Sequence, residues 1–174
     1  MDRRTFVQAA SLSGAIVLTG CLSSEDDDRP RAAEPEEYPD GVEDGQQNGT
    51  NGEGYDLYAT GGQEVPLAPT DDAYEWYRND NVVVADARSR AAYDRIHIEG
   101  AVWSPAPDGQ SSGDPLADLA PDRRILTYCT CPHHLSGARA AALLADGYEN
   151  VYALDRGLND WIEQGYPIAG DRVD

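Results

Sequence analysis

Residues 124–144 read RILTYCTCPHHLSGARAAALL, and this stretch decides the fold class of the chain. Residues 125–128 are β-branched, aromatic or apolar, as a strand buried inside a sheet requires. The run after Ser136 is rich in alanine and leucine, so Ser136 is predicted to cap the start of a helix. The pattern predicts a buried strand, a loop with two cysteines, and a helix.

The two cysteines of this loop, Cys129 and Cys131, are the candidate reactive groups. The start of a helix carries unpaired N–H groups and the positive end of the helix dipole, which stabilise an anion. A thiol at such a position can have a pKa well below its ordinary value of about 8.5, and the thiolate is the reactive form. The sequence therefore predicts a nucleophilic cysteine.

The surrounding sequence alternates predicted strands with predicted helices. Helices are predicted over residues 70–78, 89–94, 116–119, 136–146 and 158–164, and strands over residues 82–86, 101–104, 125–128 and 151–154. Such alternation is typical of a mostly parallel sheet with helices on both faces. Ligands bind such sheets at the carboxyl ends of the strands, where the cysteine loop lies.

Four motifs, in this order, resemble the rhodanese-like (sulfurtransferase) domains over about residues 64–170. They are VVVADAR at 82–88, HIEGA at 97–101, the cysteine loop, and a closing segment that runs from GYENVYAL at 147–154 to Pro167. The resemblance implies one α/β domain with a mostly parallel central sheet of about five strands. It also implies that a cysteine thiolate takes sulfur from a sulfane donor, carries it as a persulfide and passes it to a thiol or another nucleophile, without a cofactor.

The spacing leaves both cysteines open as the nucleophile. Counted back from the helix, Cys131 matches the family's cysteine, and counted forward from the strand, Cys129 does. Cys131 is favoured because the N–H groups after Pro132 can surround its sulfur, whereas proline itself has no N–H. Cys129 is then strand-end packing or a resolving thiol. The predicted cradle for the anion or persulfide consists of His133, His134, Leu135, Ser136 and Gly137.

The residues that could carry positive charge near the cysteine loop differ from those of the family. The family's loop commonly ends in an arginine that holds an anionic donor, and on the Cys131 count this chain has Ser136 there. His133 and His134 are predicted to supply positive charge below about pH 6.5. Arg139 and Arg156 are predicted to bring supporting charge to the mouth of the site. Asp86 and Arg88 are predicted to supply supporting charge as well, and to pair or to cap the backbone around the sheet edge.

Two alternatives to sulfur transfer stay open. Cys129, Cys131, His133 and His134 lie within six residues, and sulfur with imidazole suits zinc or copper(I), so a metal-binding module is one alternative, although the main prediction involves no metal. A catalytically inactive binding domain, with both cysteines in a strained disulfide, is the other. Phosphatase or arsenate-reductase activity is disfavoured, because no arginine follows either cysteine at about five residues.

The composition is strongly acidic, with 32 Asp and Glu against 13 basic residues, all arginine, and a net charge of −19. A negative field of this size repels nucleic acid and anionic lipid surfaces, so neither is a predicted partner. Such a surface suits a protein that is soluble in concentrated salt, because salt screens the self-repulsion. The composition therefore predicts a salt-loving microbial source.

Three regions are predicted along the chain. Residues 1–21 resemble a twin-arginine export signal that ends in a lipobox with Cys21 as the lipidated residue. Residues 22–55 are acidic and poor in aliphatic side chains, which predicts a disordered tether, and residues 56–174 form the domain. The expected protein is a monomer on the extracellular face of the cell membrane. It contacts the membrane only through the lipid on Cys21, and its partners are a small sulfur donor and a thiol acceptor.

Overall fold

The structure is a computed structural model, and it describes residues 38–42, 44–130 and 133–171. The predicted export signal, the lipidation site at Cys21, and Cys131 lie outside the described residues. Within the part of the chain that is described, no helix has the length and apolar character needed to cross a membrane.

The described residues form nine strands and four helices. In chain order they are β1 Gln46–Thr50, β2 Asp56–Thr60, β3 Gln63–Ala68, α1 Thr70–Arg78, β4 Val83–Asp86, α2 Arg90–Arg95, β5 His97–Ile98, β6 Val102–Trp103, β7 Ile125–Tyr128, α3 His134–Ala145, β8 Val151–Leu154, α4 Gly157–Glu163 and β9 Ile168–Ala169.

The central sheet has the strand order β1-β2-β3-β8-β7-β4-β6 over the described residues. Five of these strands, β3, β8, β7, β4 and β6, run parallel to one another. The strands β1, β2 and β3 are joined as antiparallel neighbours, and β5 pairs with β9 separately. The predicted α/β domain with a mostly parallel sheet is confirmed, but the sheet has seven strands rather than about five.

Strand β7 lies in the middle of the sheet, and all four of its residues are fully buried. Leu126 and Tyr128 belong to the apolar cluster that contains Trp161 of α4, whereas Ile125 packs with Leu143 of α3 on the opposite face. Helices therefore cover both faces, as predicted. Because side chains alternate between the faces of a strand, the residue at position 129 continues the face that α3 covers.

Two local predictions need correction. Helix α3 begins at His134 with His133 as its cap, so Ser136 lies in the first turn instead of capping the helix, and it is completely buried. Residues 116–119 form turns rather than a helix. There the carboxylate of Asp114 accepts hydrogen bonds from the N–H groups of Gln110 and Leu116, which holds the backbone in a turn.

The predicted disordered tether also needs correction, because β1 lies inside it. All five residues of β1 are exposed and polar, so the composition carries no sign of a strand, and the pairing with β2 holds them in place. Upstream of β1, residues 38–42 and 44–45 lie against the domain. We call these residues the N-terminal segment.

Candidate active site

Cys129 follows β7 directly and is buried, with 4% of its surface exposed. It packs with Ala87 and Leu135 in a small cluster that Val42 and Ala106 border. Its Sγ lies 3.4 Å from Oγ of Ser136 in the first turn of α3. The thiol at the end of the central strand therefore faces the start of the helix, as the sequence pattern predicts.

Burial raises the pKa of the Cys129 thiol above its ordinary value. Hydrogen bonds from the hydroxyl and the main-chain amide of Ser136 act in the opposite direction because they favour the thiolate. Asp86 adds to the rise and Arg88 opposes it, both through their charges. The expectation of a lowered pKa is therefore wrong for Cys129, whose thiol is protonated at neutral pH.

This raised pKa makes the stability of the protein sensitive to alkali. Above about pH 9 the thiol ionises in the unfolded chain but stays protonated in the folded protein, so the folded state binds more protons. We expect the free energy of unfolding to fall as the pH rises above 9, by at most about 1.4 kcal/mol per pH unit from this group. Urea unfolding from pH 7 to pH 10 measures the effect.

The control for this prediction is Cys129→Ser, whose hydroxyl does not titrate in this range. Tyr128, whose pKa is also raised by burial, is present in both proteins, so the difference between them isolates the thiol. A difference in unfolding free energy that does not change with pH would contradict the prediction.

The predicted cradle residues take different positions. The N–H of Gly137 donates to the carbonyl oxygen of His133 at 2.6 Å, so this amide belongs to the first turn of the helix and not to a ring around sulfur. The amide of Ser136 faces the Cys129 thiol. Leu135 packs against Cys129 and lines the mouth of the site.

His133 is largely buried, with 14% of its side chain exposed, and its backbone has a left-handed φ of 74°. Its ring lies 5.1 Å from the ring of Tyr58, and its Nε2 is 3.7 Å from a carboxylate oxygen of Asp155. Burial lowers the pKa of His133 below 6.5, and the charge of Asp155 only partly offsets this. His133 therefore becomes positively charged only at a pH below the predicted limit of about 6.5.

His134 is held by the N-terminal segment. Its Nδ1 lies 2.6 Å from the hydroxyl of Tyr38, and its Nε2 lies 2.9 Å from a carboxylate oxygen of Asp44. The N–H of Gly45 donates to the hydroxyl of Tyr58 at 2.7 Å. These contacts fix the segment against the start of α3 and against β2, and His134 faces an acidic group there instead of an open anion site.

Asp86 and Arg88 form a fully buried ion pair, with Nη2 of Arg88 2.6 Å from Oδ2 of Asp86. The Tyr128 hydroxyl donates to the same carboxylate at 2.7 Å, and it accepts from the N–H of Ile98 at 3.1 Å. Arg88 also donates to the carbonyl oxygen of Ile96 at 2.7 Å. The predicted pairing is confirmed, and the carboxylate cancels the charge of the guanidinium.

A cavity of about 620 Å³ opens next to the buried thiol, and we call it the mouth cavity. It is lined by Tyr38, Pro39, Ala87, Arg88, Ser89, Pro105, Ala106 and Leu135. Three of these residues, Ala87, Ala106 and Leu135, also pack in the cluster around Cys129. The cavity lies at the carboxyl ends of β4 and β7, where ligands of parallel sheets bind.

The sequence model of the rhodanese-like domain matches residues 69–164, which is more than half of the chain. The chain belongs to the rhodanese-like domain family. The solution structure of a rhodanese-like domain from Anabaena sp. is 26% identical, with a TM-score of 0.54, and the match covers 62% of this chain and 80% of that one. A Bacillus halodurans protein, 24% identical with a TM-score of 0.52 over 62% of this chain and 81% of its own, shows the same fold.

One curated relative is an HTH-type transcriptional regulator of Mycobacterium tuberculosis. The two sequences are 31% identical over 87 residues, which is 50% of this chain and 37% of the regulator. This chain thus covers well under two thirds of that relative's length.

The rhodanese-like domain does not bring Arg139 or Arg156 to the mouth cavity. Arg139 is buried and donates from Nε to Oγ of Ser104 at 2.9 Å, while its Nη2 lies 3.5 Å from Asp114. Arg156 is exposed, and its Nε lies 3.5 Å from Asp160 in the next turn. Arg139 supports the packing of α3, and the prediction that the two arginines supply charge at the mouth is corrected.

The backbone of the cysteine loop rests on the start of α4. The N–H of Leu158 donates to the carbonyl oxygen of Cys129 at 2.8 Å. Gly157 has a left-handed φ of 67°, and a Cβ there would lie 2.8 Å from the carbonyl oxygen of Thr130. Glycine is therefore required at position 157 for the loop and the helix to approach each other.

The described residues of the rhodanese-like domain contain no group of three or more His, Cys, Asp or Glu side chains placed to hold a metal ion. Because Cys131 lies outside them, the metal-binding alternative and the Cys129–Cys131 disulfide stay predictions.

Sequence reasoning missed two parts of this site. The N-terminal segment was assigned to a disordered tether, and only its Tyr38, Pro39 and Val42 carry an apolar signal. Tyr128 was assigned to strand packing alone, although its hydroxyl joins the buried ion pair. Its position in the strand at the same level as Asp86 of β4 is the signal that could have revealed this contact.

Proposed function

We propose that this rhodanese-like domain is a sulfurtransferase that carries sulfur as a persulfide on Cys129. The observation that carries the proposal is the position of the Cys129 thiol, between the first turn of α3 and the mouth cavity. Among the described residues, it is the thiol that combines a nucleophile, anion-stabilising donors and an adjoining space for a small molecule.

The reaction begins when the Cys129 thiol gives its proton to solvent. The thiolate attacks the outer sulfur of a sulfane donor, a new S–S bond forms, and the old S–S bond breaks with its electron pair leaving on the rest of the donor. A thiol acceptor, reacting as its thiolate, then attacks the outer sulfur of the persulfide and takes it away. Cys129 returns as a thiolate, so atoms and electrons balance over the cycle.

Ser136 has the main stabilising role in this proposal. Its hydroxyl and its amide favour negative charge on sulfur, and both are already in place before the donor arrives. Burial works against ionisation, so only a small fraction of Cys129 is thiolate at neutral pH. The rate of sulfur uptake should therefore follow this fraction as the pH rises.

Cys131 is the alternative carrier, and it is the residue that counting back from the helix favours. Its contacts lie outside the described residues, so the assignment to Cys129 rests on the contacts of Cys129 itself. The acidic surface, with a net charge of −19, also favours small donors over nucleic acid. Export, a lipid on Cys21 and a monomeric state belong to the same proposal.

Mass spectrometry of the full chain tests the function. After incubation with a sulfane donor, either thiosulfate or polysulfide, and removal of the donor, we expect a mass increase of one sulfur atom. Peptide mapping should place this atom on residue 129, and dithiothreitol should remove it. If no donor adds sulfur, the chain is better described by the inactive binding alternative.

A further inference from the structure

We infer that the sulfur donor of this site carries a hydrocarbon group and at most one negative charge, and that the thiosulfate dianion is a poor donor. This inference rests on the proposed function and specifies its substrate class. It follows from the lining of the mouth cavity, from the charge state of the one cationic residue in the described lining, and from the described groups beside the cavity.

The lining of the cavity is mostly apolar. Six of its eight residues are apolar or aromatic: Tyr38, Pro39, Ala87, Pro105, Ala106 and Leu135. A volume of about 620 Å³ lies in the range of pockets that enclose an organic ligand, which is typically about 300–1,000 Å³. The space therefore fits an alkyl or aryl group better than a small dianion.

The charge of the single cationic residue in the described lining is already compensated. The guanidinium of Arg88 is fully buried, and Asp86 binds it through Nε at 2.9 Å and through Nη2 at 2.6 Å. Its Nη2 is also used by the carbonyl oxygen of Ile96. A dianion in the cavity would lose its water without gaining a counter-charge, which is unfavourable.

The groups beside the loop add negative rather than positive charge. Asp44 binds His134, and Asp155 lies beside His133, whose imidazole is kept neutral by burial. Arg139 and Arg156 are paired with Asp114 and Asp160 away from the cavity. A donor with one negative charge and an apolar group avoids most of this repulsion and gains contact with the lining.

Three donors that all deliver their outer sulfur test the inference. Thiosulfate is a dianion and leaves as sulfite, whereas methanethiosulfonate and benzenethiosulfonate are monoanions that leave as sulfinates. We expect the full chain to take sulfur from benzenethiosulfonate at least about tenfold faster than from methanethiosulfonate, since only the phenyl group fills the apolar cavity. Thiosulfate should be the slowest, and a thiosulfate rate equal to that of benzenethiosulfonate would overturn the inference.

A pair of charge variants distinguishes the effect of charge at the cavity from the effect of the net charge of the protein on the donor rates. Pro39 is exposed and lines the cavity, so Pro39→Arg places a cation at the mouth. Gln47→Arg makes a similar change in charge on the exposed strand β1. At one fixed ionic strength, Pro39→Arg should raise the ratio of the thiosulfate rate to the benzenethiosulfonate rate severalfold, because the added cation attracts a dianion more strongly than a monoanion, whereas Gln47→Arg should leave this ratio unchanged. Equal effects of the two variants on this ratio would overturn the inference.

If no donor loads sulfur, that result counts against the proposed function alone. Alkylation of Cys129 then still tests the inference about the charge and polarity of the site. Iodoacetamide is neutral and iodoacetate is an anion, and both react with thiolates. Relative to glutathione, Cys129 should prefer iodoacetamide by about tenfold or more, and Pro39→Arg but not Gln47→Arg should reduce that preference. The same preference in Cys129 and glutathione would refute an apolar, uncompensated site.

Discussion

Cys129→Ser is expected to lower the rate of sulfur uptake by at least about 100-fold, because the hydroxyl that replaces the thiol cannot form a persulfide. The rate is measured as the appearance of the sulfur-loaded chain by mass spectrometry, with the donor that loads the natural protein fastest. Serine fits the space of the thiol and can keep a contact with Ser136, so the fold should be retained. Circular dichroism of both proteins checks this.

The matched control is Cys131→Ser, which makes the same chemical change two residues further along the loop. With Cys129 as the carrier, the control should still take up one sulfur atom, and its rate should stay within about threefold of the natural protein. Full uptake by Cys129→Ser, with sulfur mapped to residue 131, would instead assign the reaction to Cys131. Loss of uptake in both variants would show that the two thiols act together.

Asp86→Asn is expected to lower the free energy of unfolding by about 3–5 kcal/mol. The substitution keeps the shape of the side chain but removes the charge that compensates the buried guanidinium of Arg88. It also replaces one of the two carboxylate oxygens, both of which accept hydrogen bonds. Urea denaturation at constant salt measures the change, with the slope against urea used to check that both proteins unfold in the same way.

The control for Asp86→Asn is Glu75→Gln, which makes the same chemical change in an exposed ion pair with Arg78. Both of those side chains are more than half exposed, so the control should cost only about 0–1 kcal/mol. Similar losses in the two variants would mean that the buried pair contributes no more than a surface pair. The network around Tyr128 would then have to be reinterpreted.

The sequence was sufficient to predict four of the five strands in the parallel part of the sheet, namely β4, β6, β7 and β8, but not β3. Strands β7 and β8 are short apolar runs that are buried on both faces, and α3 is a long alanine-rich segment, so periodicity and composition point to one structure. Strand β1 could not be predicted in this way. Its residues are polar and exposed, and only pairing with β2 makes them a strand.

The candidate site was predictable only where residues adjacent in the sequence determine the geometry. The position of Cys129 between a strand and a helix follows from the adjacent residues. The burial of its thiol does not, because Val42 and Ala106 come from distant parts of the chain. Arg139 likewise lies near the loop in sequence, but its helix carries the side chain to Ser104 and Asp114. Which groups share a surface is thus set by tertiary packing.

The route by which the chain enters the domain has a practical consequence. Tyr38 and Pro39 form one side of the mouth cavity, and the sheet begins only at Gln46. A fluorophore placed at position 38 would therefore sit at the rim of the cavity and could report directly on its occupancy. A fluorophore attached on β1, for example at Gln47, would serve as a control that does not respond to occupancy of the cavity.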